Sequence, residues 1–550
     1  MRAVILFVCA SVLSVSACAV DDADLTGALD ALTVTDLARH IEVLASDEFE
    51  GRGPSSPGEA KTLAYLQEEF RTLGLEPGTG DSFLQEVPLV AITADPKAAL
   101  TVRSPRRTAT YRYGSDFMAW TKRVVGGVGV RNAEVVFVGY GIDAPEYGWN
   151  DYEGVDVAGK VVLMLVNDPG FATQDTSLFD GNAMTYYGRW TYKYEEAARR
   201  GAAAAFVIHE TDAAGYGWDV VSSSWSGEQF DLVRDDNNMS RVVVEGWLTG
   251  ETARVMLEEA GEDLAVLKTA ATQRGFRSKA LPLRVSVDLE NVIRRSISSN
   301  VVATLPGAMR PDEYVLYMAH WDHLGRDATL QGDQIYNGAL DNATGTAGLL
   351  LLAKAFVSLE ERPERSVVFL AVTAEEQGLL GSAYYASYPV YPLAQTVATI
   401  NMDGLNILGP MRDVTVIGLG QSELDDYLTR AAQSQSRRIR PDPEAEKGFY
   451  FRSDHFSFAK EGVPSLYADA GIDHVEHGEE WTRERRDEYT RQRYHKPGDE
   501  FDPAWDLQGA IDDLALLFRV GAMLANERTF PNWRERSPFK ATRDSVMAGR

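Results

Sequence analysis

Five short clusters carry the side chains able to do chemistry: His320-Trp321-Asp322-His323, Asp341, Glu375-Glu376, Asp403 and, late in the chain, His495. Imidazoles gathered with carboxylates suit a divalent cation of the zinc type. Each cluster alone says little, because a lone His-x-Asp pair or a helix-opening acid is common without any ligand. Together they divide naturally into roles. Asp322 sits two residues after His320, where its carboxylate could fix the orientation of a metal-bound imidazole, and His323 is the neighbouring alternative. Asp341 is flanked by Gly338 and Gly345, and one carboxylate can bridge two cations with its two oxygens. Glu375 and Glu376 repel each other unless a cation intervenes; in an extended turn one can ligate while the other serves as a general base. Ser453-Asp454-His455 has the residue types of a hydrolytic triad, but triad members meet through the fold and not in a row, so Asp454 and His455 read as pocket-wall or supporting residues.

The elements that must position these residues are legible as apolar runs. Val315 to Ala319 precedes His320, Val367 to Val372 precedes Glu375, and Val397 to Met402 precedes Asp403. Runs of this length bounded by polar residues and glycine predict buried strands. In an α/β sheet, ligands gather beyond the carboxyl ends of the strands, so the acids and imidazoles converge at one edge. Ala347 to Val357 predicts a helix after Asp341, which is expected to open it, and Leu507, Ile511, Leu514, Phe518 and Val520 mark a last amphipathic helix. Upstream, residues 35 to 75 read as helical, broken at Gly51-Arg52-Gly53-Pro54. A second unit begins near Ala133, with strands at Val135–Val138, Val161–Val166 and Ala202–Ile208 and helix around Glu195–Arg200. It reads as a compact β-rich insert with one or two helices. It holds no cluster of ligand-type residues, which suits a part that shapes access. Gly139-Tyr140-Gly141 lacks the remaining residues of a phosphate loop and reads as a turn.

The chain has 550 residues, 45% of them hydrophobic, and a formal net charge of -27. The charge excludes a nucleic-acid partner, which would require basic patches. The first residues read as a targeting segment: Arg2, then an apolar stretch from Ala3 to Val15 too short for a stable span, then Val15-Ser16-Ala17-Cys18 in the pattern of a bacterial lipobox. Cys9 and Cys18 are the only cysteines, so cleavage at Cys18 leaves no disulfide to form. Membrane attachment is therefore expected only through a lipid on Cys18. Ala19 in the next position points to the periplasmic face of the outer membrane. Asp21 to Asp30 reads as a flexible acidic tether, and 527–550, polar with Pro531 and Pro538, as a loose tail.

The ordered set Ala319-His320-Trp321-Asp322-His323-Leu324-Gly325, Asp341-Asn342-Ala343-Thr344-Gly345, Glu375-Glu376-Gln377-Gly378-Leu379, Asn401-Met402-Asp403, Ser453-Asp454-His455-Phe456 and Tyr494-His495 resembles metallopeptidase family 28, the co-catalytic di-zinc aminopeptidases. Ala45 to Arg52 resembles that family's N-terminal segment, and Val135 to Gly170 resembles the protease-associated (PA) domain that many members carry. The resemblance implies an α/β, phosphorylase/hydrolase-like mixed-sheet zinc peptidase domain with an inserted β-rich PA domain. It divides the chain into signal peptide 1–18, N-terminal peptidase part and connecting β segment 19–130, PA-like insert 131–285, catalytic domain 286–526 and tail 527–550. It implies two Zn2+ ions per chain. His320 and Asp403 would hold one and Glu376 and His495 the other, with Asp341 bridging. Glu375 would activate a bridging water, Tyr494 would assist at the oxyanion, and Asp322 would orient His320. The function it implies is an exported aminopeptidase acting on peptides. A carboxypeptidase of the same family, with Arg452 as the basic residue beside a motif, is the rival, followed by a non-enzymatic binding protein on this fold. The charged loop expected from Asp473 to Arg493 bears on substrate preference.

Overall fold

One strand, Lys279–Leu305, runs through both large sheets of the molecule. From Lys279 to Glu290 it pairs with Ala99–Arg103 and Gly127–Phe137; from Asn291 onward it pairs with Leu84–Ala94 and then with Arg365–Val372. The sequence explains the first half: Leu281, Leu283, Val285, Val287 and Leu289 are buried and alternate with the less buried Pro282, Arg284, Ser286, Asp288 and Glu290. The computed structural model describes residues 22–549, so the expected signal segment, with Cys9 and Cys18, lies outside the described residues. No helix among the described residues is long and apolar enough to cross a membrane.

The first sheet carries the chemistry. Arg310–His320 lies between Arg365–Val372 and Thr396–Asn401, parallel to both, and Ser465–Ala470 continues parallel beyond Thr396–Asn401. Asp413–Ile417 is antiparallel to Ser465–Ala470, and Lys279–Leu305 is antiparallel to Arg365–Val372, which makes the sheet mixed. Its central strands carry apolar runs such as Val315–Ala319 and Val367–Val372 because both faces are covered. Val315, Tyr317 and Ala319 face a core built with helices Thr344–Val357 and Gln508–Asn526. Leu316 and Met318 face the opposite core, with Tyr385 and Phe458. A one-residue slip would exchange the two sets and lose the packing.

The second sheet forms the insert. Val161–Leu165, Ala204–His209 and Val244–Thr249 are consecutive parallel strands. Parallel neighbours need crossovers, which helices usually supply. That is why the unit holds more helix than the one or two expected, including Trp190–Arg199, Trp218–Ser224, Gly250–Glu259 and Leu264–Ala271. It also begins earlier than residue 131. Ala99–Arg103, Thr108–Arg112 and Phe117–Trp120 belong to its sheet, paired with Lys279–Leu305, with each other and with Val244–Thr249.

Three expectations for polar segments are corrected. Asp22–Asp30 is a helix and not a tether, because Leu25 and Ala28 lie on one face and, with Leu32 just past its end, join the main core. The stretch from 527 onward is packed and not loose. Trp533 and Phe539 are buried, Trp533 Nε1 donates to the Gly462 carbonyl at 2.8 Å, and Lys540–Ala548 is a helix. A few apolar anchors outweigh the polar average in both segments. The supposed loop 473–493 is largely the helix Gly478–Gln492, braced by charge pairs such as Arg483 with Glu479.

Candidate metal centre

The parallel strands end at the same edge and deliver His320, Glu375 and Asp403 together. Their ligand-type atoms lie within 4.8 Å of one another, as do those of His323, Asp341 and Glu376. Thr346 Oγ1 donates to the His320 carbonyl at 2.8 Å, fixing the strand end against the helix that follows Asp341. Asp341 itself does not open that helix. It stands in an irregular turn three residues ahead of it, with φ -110 and ψ 92, because the helix begins at Thr344. The turn is held from two sides. Asn342 donates to the Met402 carbonyl at 3.0 Å and accepts from the amides of Gly345 and Gly404 at 2.9 and 3.0 Å, which ties the Asp341 turn to the Asp403 turn. Asp499 accepts from the amides of Leu340 and Asp341, both at 3.2 Å.

The donor atoms fall into two sets around Asp341. His320 Nε2 is 3.3 Å from Asp341 Oδ1 and 3.2 Å from Asp403 Oδ1. His495 Nε2 is 3.2 Å from Asp341 Oδ2 and 3.1 Å from Glu376 Oε2. Two ligands of one tetrahedral zinc, each at about 2.0–2.2 Å, stand roughly 3.3–3.6 Å apart. The observed spacings of 3.1–3.3 Å lie at or just below that range, and imidazole nitrogen with carboxylate oxygen is a zinc donor set, so the residues present fit two zinc ions. His320 Nδ1 faces the Asp322 carbonyl at 3.0 Å, and a carbonyl only accepts, so Nδ1 carries a proton and Nε2 is the nitrogen turned toward the carboxylates and toward any bound cation.

This differs from the expected role of Asp322. The backbone oxygen, not the carboxylate, holds His320; the nearest carboxylate oxygen is 3.9 Å away. The Asp322 carboxylate accepts instead from the Glu375 amide at 3.1 Å. Burial pushes this carboxyl up to about 8, against the pull of His320. Glu375 Oε2 is 3.9 Å from His320 Nε2. Burial raises its carboxyl well above the ordinary range; Asp403 and Glu376 push the same way and His320 opposes them. His323 occupies the other side of Glu376, with Nδ1 2.5 Å from Oε1, so Oε2 is the oxygen left toward His495. Tyr494 stacks on His495 with ring centroids 3.9 Å apart and leaves 45% of its surface exposed. Asp454 and His455 are fully buried beneath the site, and the His455 ring packs against Tyr450 and Tyr467. Tyr467 in turn donates to the Asp403 carbonyl at 3.2 Å.

Residues 300–518 match the model of Peptidase family M28. The chain carries an M28 peptidase domain. A stretch of 124 residues is 36% identical to the mouse protein named Aminopeptidase NAALADL1, covering 22% of this chain and 15% of that one. Another of 117 residues is 38% identical to a Probable zinc metalloprotease of Pyrenophora teres f. teres, covering 21% and 24%. These matches therefore span about a quarter or less of the relatives' own length. The solved Aminopeptidase from Aneurinibacillus sp. strain AM-1 shares the fold over 92% of this chain and 97% of its own, with TM-score 0.50 and 19% identity.

Two residues that matter to the M28 domain's site escaped the sequence reading as site residues. Arg52, almost wholly buried, donates to the carbonyls of Trp321, Leu44, Asn337 and Gly338 at 2.6–2.8 Å. It thereby joins the turn after His320 to the turn before Asp341. Burial lowers its guanidinium to about 10, while Asp499, Asp322, Asp341 and Glu376 hold it up. Asp499 is the other; both work through backbone groups, which leave no motif of side chains. The only signals were Gly51-Arg52-Gly53 in the N-terminal segment and Asp499 four residues after His495.

Proposed function

We propose that this chain is a zinc-dependent aminopeptidase, with His320, Asp403, Asp341, Glu376 and His495 holding two ions and Glu375 as general base. The observation that carries this reading is the division of the Asp341 carboxylate between His320 and His495, with Glu375 beside the first of them. When bound, the zinc ions would supply Lewis acidity toward the peptide carbonyl and acidify the attacking water.

The chain's own residues do the rest. Glu375 accepts a proton from water as it attacks and returns it to the departing amine. Tyr494, whose ring stacks on His495, would donate its hydroxyl hydrogen to the developing oxyanion. Asp322 and His323 position Glu375 and Glu376 through the contacts described above. The carboxylate-rich edge attracts the cationic α-amino group of a peptide. The second sheet serves as a PA-like insert that borders the site. In the same proposal, a lipid on Cys18 anchors an exported chain at the outer membrane.

Hydrolysis of aminoacyl chromogenic substrates by the zinc-loaded chain tests the reading. Release of chromophore that stops on chelation and returns with zinc is expected. A zinc-saturated chain that cleaves neither these nor free peptides overturns it.

A further inference from the structure

His323 is buried, and its ring is held on three sides. Its Nδ1 lies 2.5 Å from Glu376 Oε1, and its ring centroid is 5.8 Å from that of His495. The third side is Gly338. A Cβ added there would lie 2.5 Å from the ring's Cγ and Cδ2, and Gly338 stands at φ +56, where glycine is favoured. Arg52 steadies both walls. Its carbonyl accepts from the His323 amide at 3.3 Å, and its guanidinium donates to the Gly338 carbonyl at 2.7 Å. The ring is thus fixed facing Glu376.

A ligand role for His323 itself fails on distance. His323, Asp341 and Glu376 bring ligand-type atoms within 4.8 Å of one another. Two donors on one zinc, however, stand roughly 3.3–3.6 Å apart. A separation of 2.5 Å belongs to a short hydrogen bond. A carboxylate oxygen accepts, so the Nδ1 hydrogen points at Oε1. Nε2 is shut off from solvent without a hydrogen-bond partner, so no second contact competes for the ring. One oxygen of Glu376 is thereby engaged, and Oε2 is left facing His495 Nε2 at 3.1 Å.

We propose that His323 is a positioning residue that holds Glu376 to a single ligand oxygen and so keeps one coordination position of the second ion open. The inference rests on the two-ion peptidase reading above. A carboxylate free to turn can close on a cation with both oxygens. Zinc sites that act on substrates instead keep three protein donors and leave the fourth position to water or substrate. With Oε1 held by the His323 N–H, the second ion is offered three donors: His495 Nε2, Asp341 Oδ2 and Glu376 Oε2. Groups behind a metal ligand commonly set its orientation in this way. The N-terminal segment then reaches the chemistry through Arg52, which fixes the backbone on both sides of the ring.

The test compares the full chain with His323→Leu, which keeps bulk but has no N–H, and with His323→Asn, whose Nδ2 falls near the place of the imidazole Nδ1. In His323→Leu, Glu376 is free to close on the ion with both oxygens. Both zinc ions should stay bound, the second at least as tightly as in the parent, while kcat falls by about 10- to 100-fold. Loaded with cobalt in place of zinc, this variant should absorb more weakly in the visible, because cobalt loses intensity as its coordination number rises. His323→Asn should recover part of both kcat and absorption. His323→Ala replaces the Leu variant if that chain does not fold. Loss of the second ion from His323→Leu would make His323 a ligand or a plain support and overturn the proposal. A parent-like cobalt spectrum in His323→Leu, or an Asn variant no better than Leu, overturns it equally. Each of these outcomes leaves the peptidase reading standing. A parent chain that retains no zinc and cleaves no peptide overturns both.

Discussion

Asp341 turns Oδ1 toward His320 Nε2 at 3.3 Å and Oδ2 toward His495 Nε2 at 3.2 Å. One carboxylate so divided is the only side chain shared by both donor sets. Asp341→Asn replaces one oxygen with an amide nitrogen that cannot ligate. Metal content is expected to fall from about two equivalents to about one or less, with activity lost in parallel. Elemental analysis of the freshly dialysed variant against the parent chain checks this, and full retention of two equivalents would refute the bridging role.

The adjacent acids should separate by experiment. Glu375→Gln keeps shape but accepts no proton, so kcat should fall on the order of 10²- to 10⁴-fold with metal content near normal. Glu376→Gln should instead weaken metal binding, because Glu376 Oε2 faces His495 and Oε1 faces His323. Equal metal loss in both variants, with turnover preserved in Glu375→Gln, would mean the roles are misassigned.

What the sequence disclosed and what it hid follow one physical division. His320, Glu375 and Asp403 were legible because each follows an apolar run, and a buried parallel strand advertises itself by composition. The gathering of Asp341 and His495 at the same edge rested on the family resemblance, since neither follows a strand. Arg52, Asp499 and the Asp322 carbonyl were illegible as supports because they act on backbone groups, and such contacts leave no residue pattern. The terminal segments were misread because Leu25, Trp533 and Phe539 are few among polar neighbours.

Arg52 supports the site from behind by satisfying four carbonyls at once. Arg52→Met would leave these groups buried without a donor, costing about 3–5 kcal/mol. The thermal midpoint should drop, and the metal affinity of the surviving folded chain should weaken, since both flanking turns lose their tie. Unchanged stability by urea titration would show that the bonds are not formed in solution.

His40 should make the chain sensitive to mild acid. Arg39 Nη2 donates to its Nε2 at 2.8 Å, so the proton sits on Nδ1, which meets the Tyr65 hydroxyl at 2.6 Å. Burial first, and then Arg39 and Lys354 against Asp36, lower this imidazole to about 4. The unfolded chain, with an ordinary imidazole near 6.5, takes up a proton that the folded chain refuses. Stability is therefore unaffected above about pH 6.5 and falls as the pH drops toward 4, by up to about 3 kcal/mol. His40→Asn should flatten the curve of urea midpoint against pH in that window; a difference curve without slope there would exclude the effect.

The direction of cleavage is the most exposed part of the functional reading. An aminopeptidase must recognise a free α-amino group, with an ordinary pKa near ~7.7 to 8. Asp341, Glu375, Glu376 and Asp403 crowd one edge. That field favours an ammonium group and opposes a second carboxylate placed directly on the metals. N-acetylation removes the charge and blocks the nitrogen as a ligand. On a neutral peptide long enough for its C-terminus to lie outside the cleft, acetylation should abolish cleavage, while C-terminal amidation should leave kcat/KM nearly unchanged. Mass spectrometry of the products gives the answer directly. Loss of single residues from the C-terminus of the acetylated peptide would make the chain a carboxypeptidase; the donor geometry around Asp341 would stand, and the assignment of its substrate end would not.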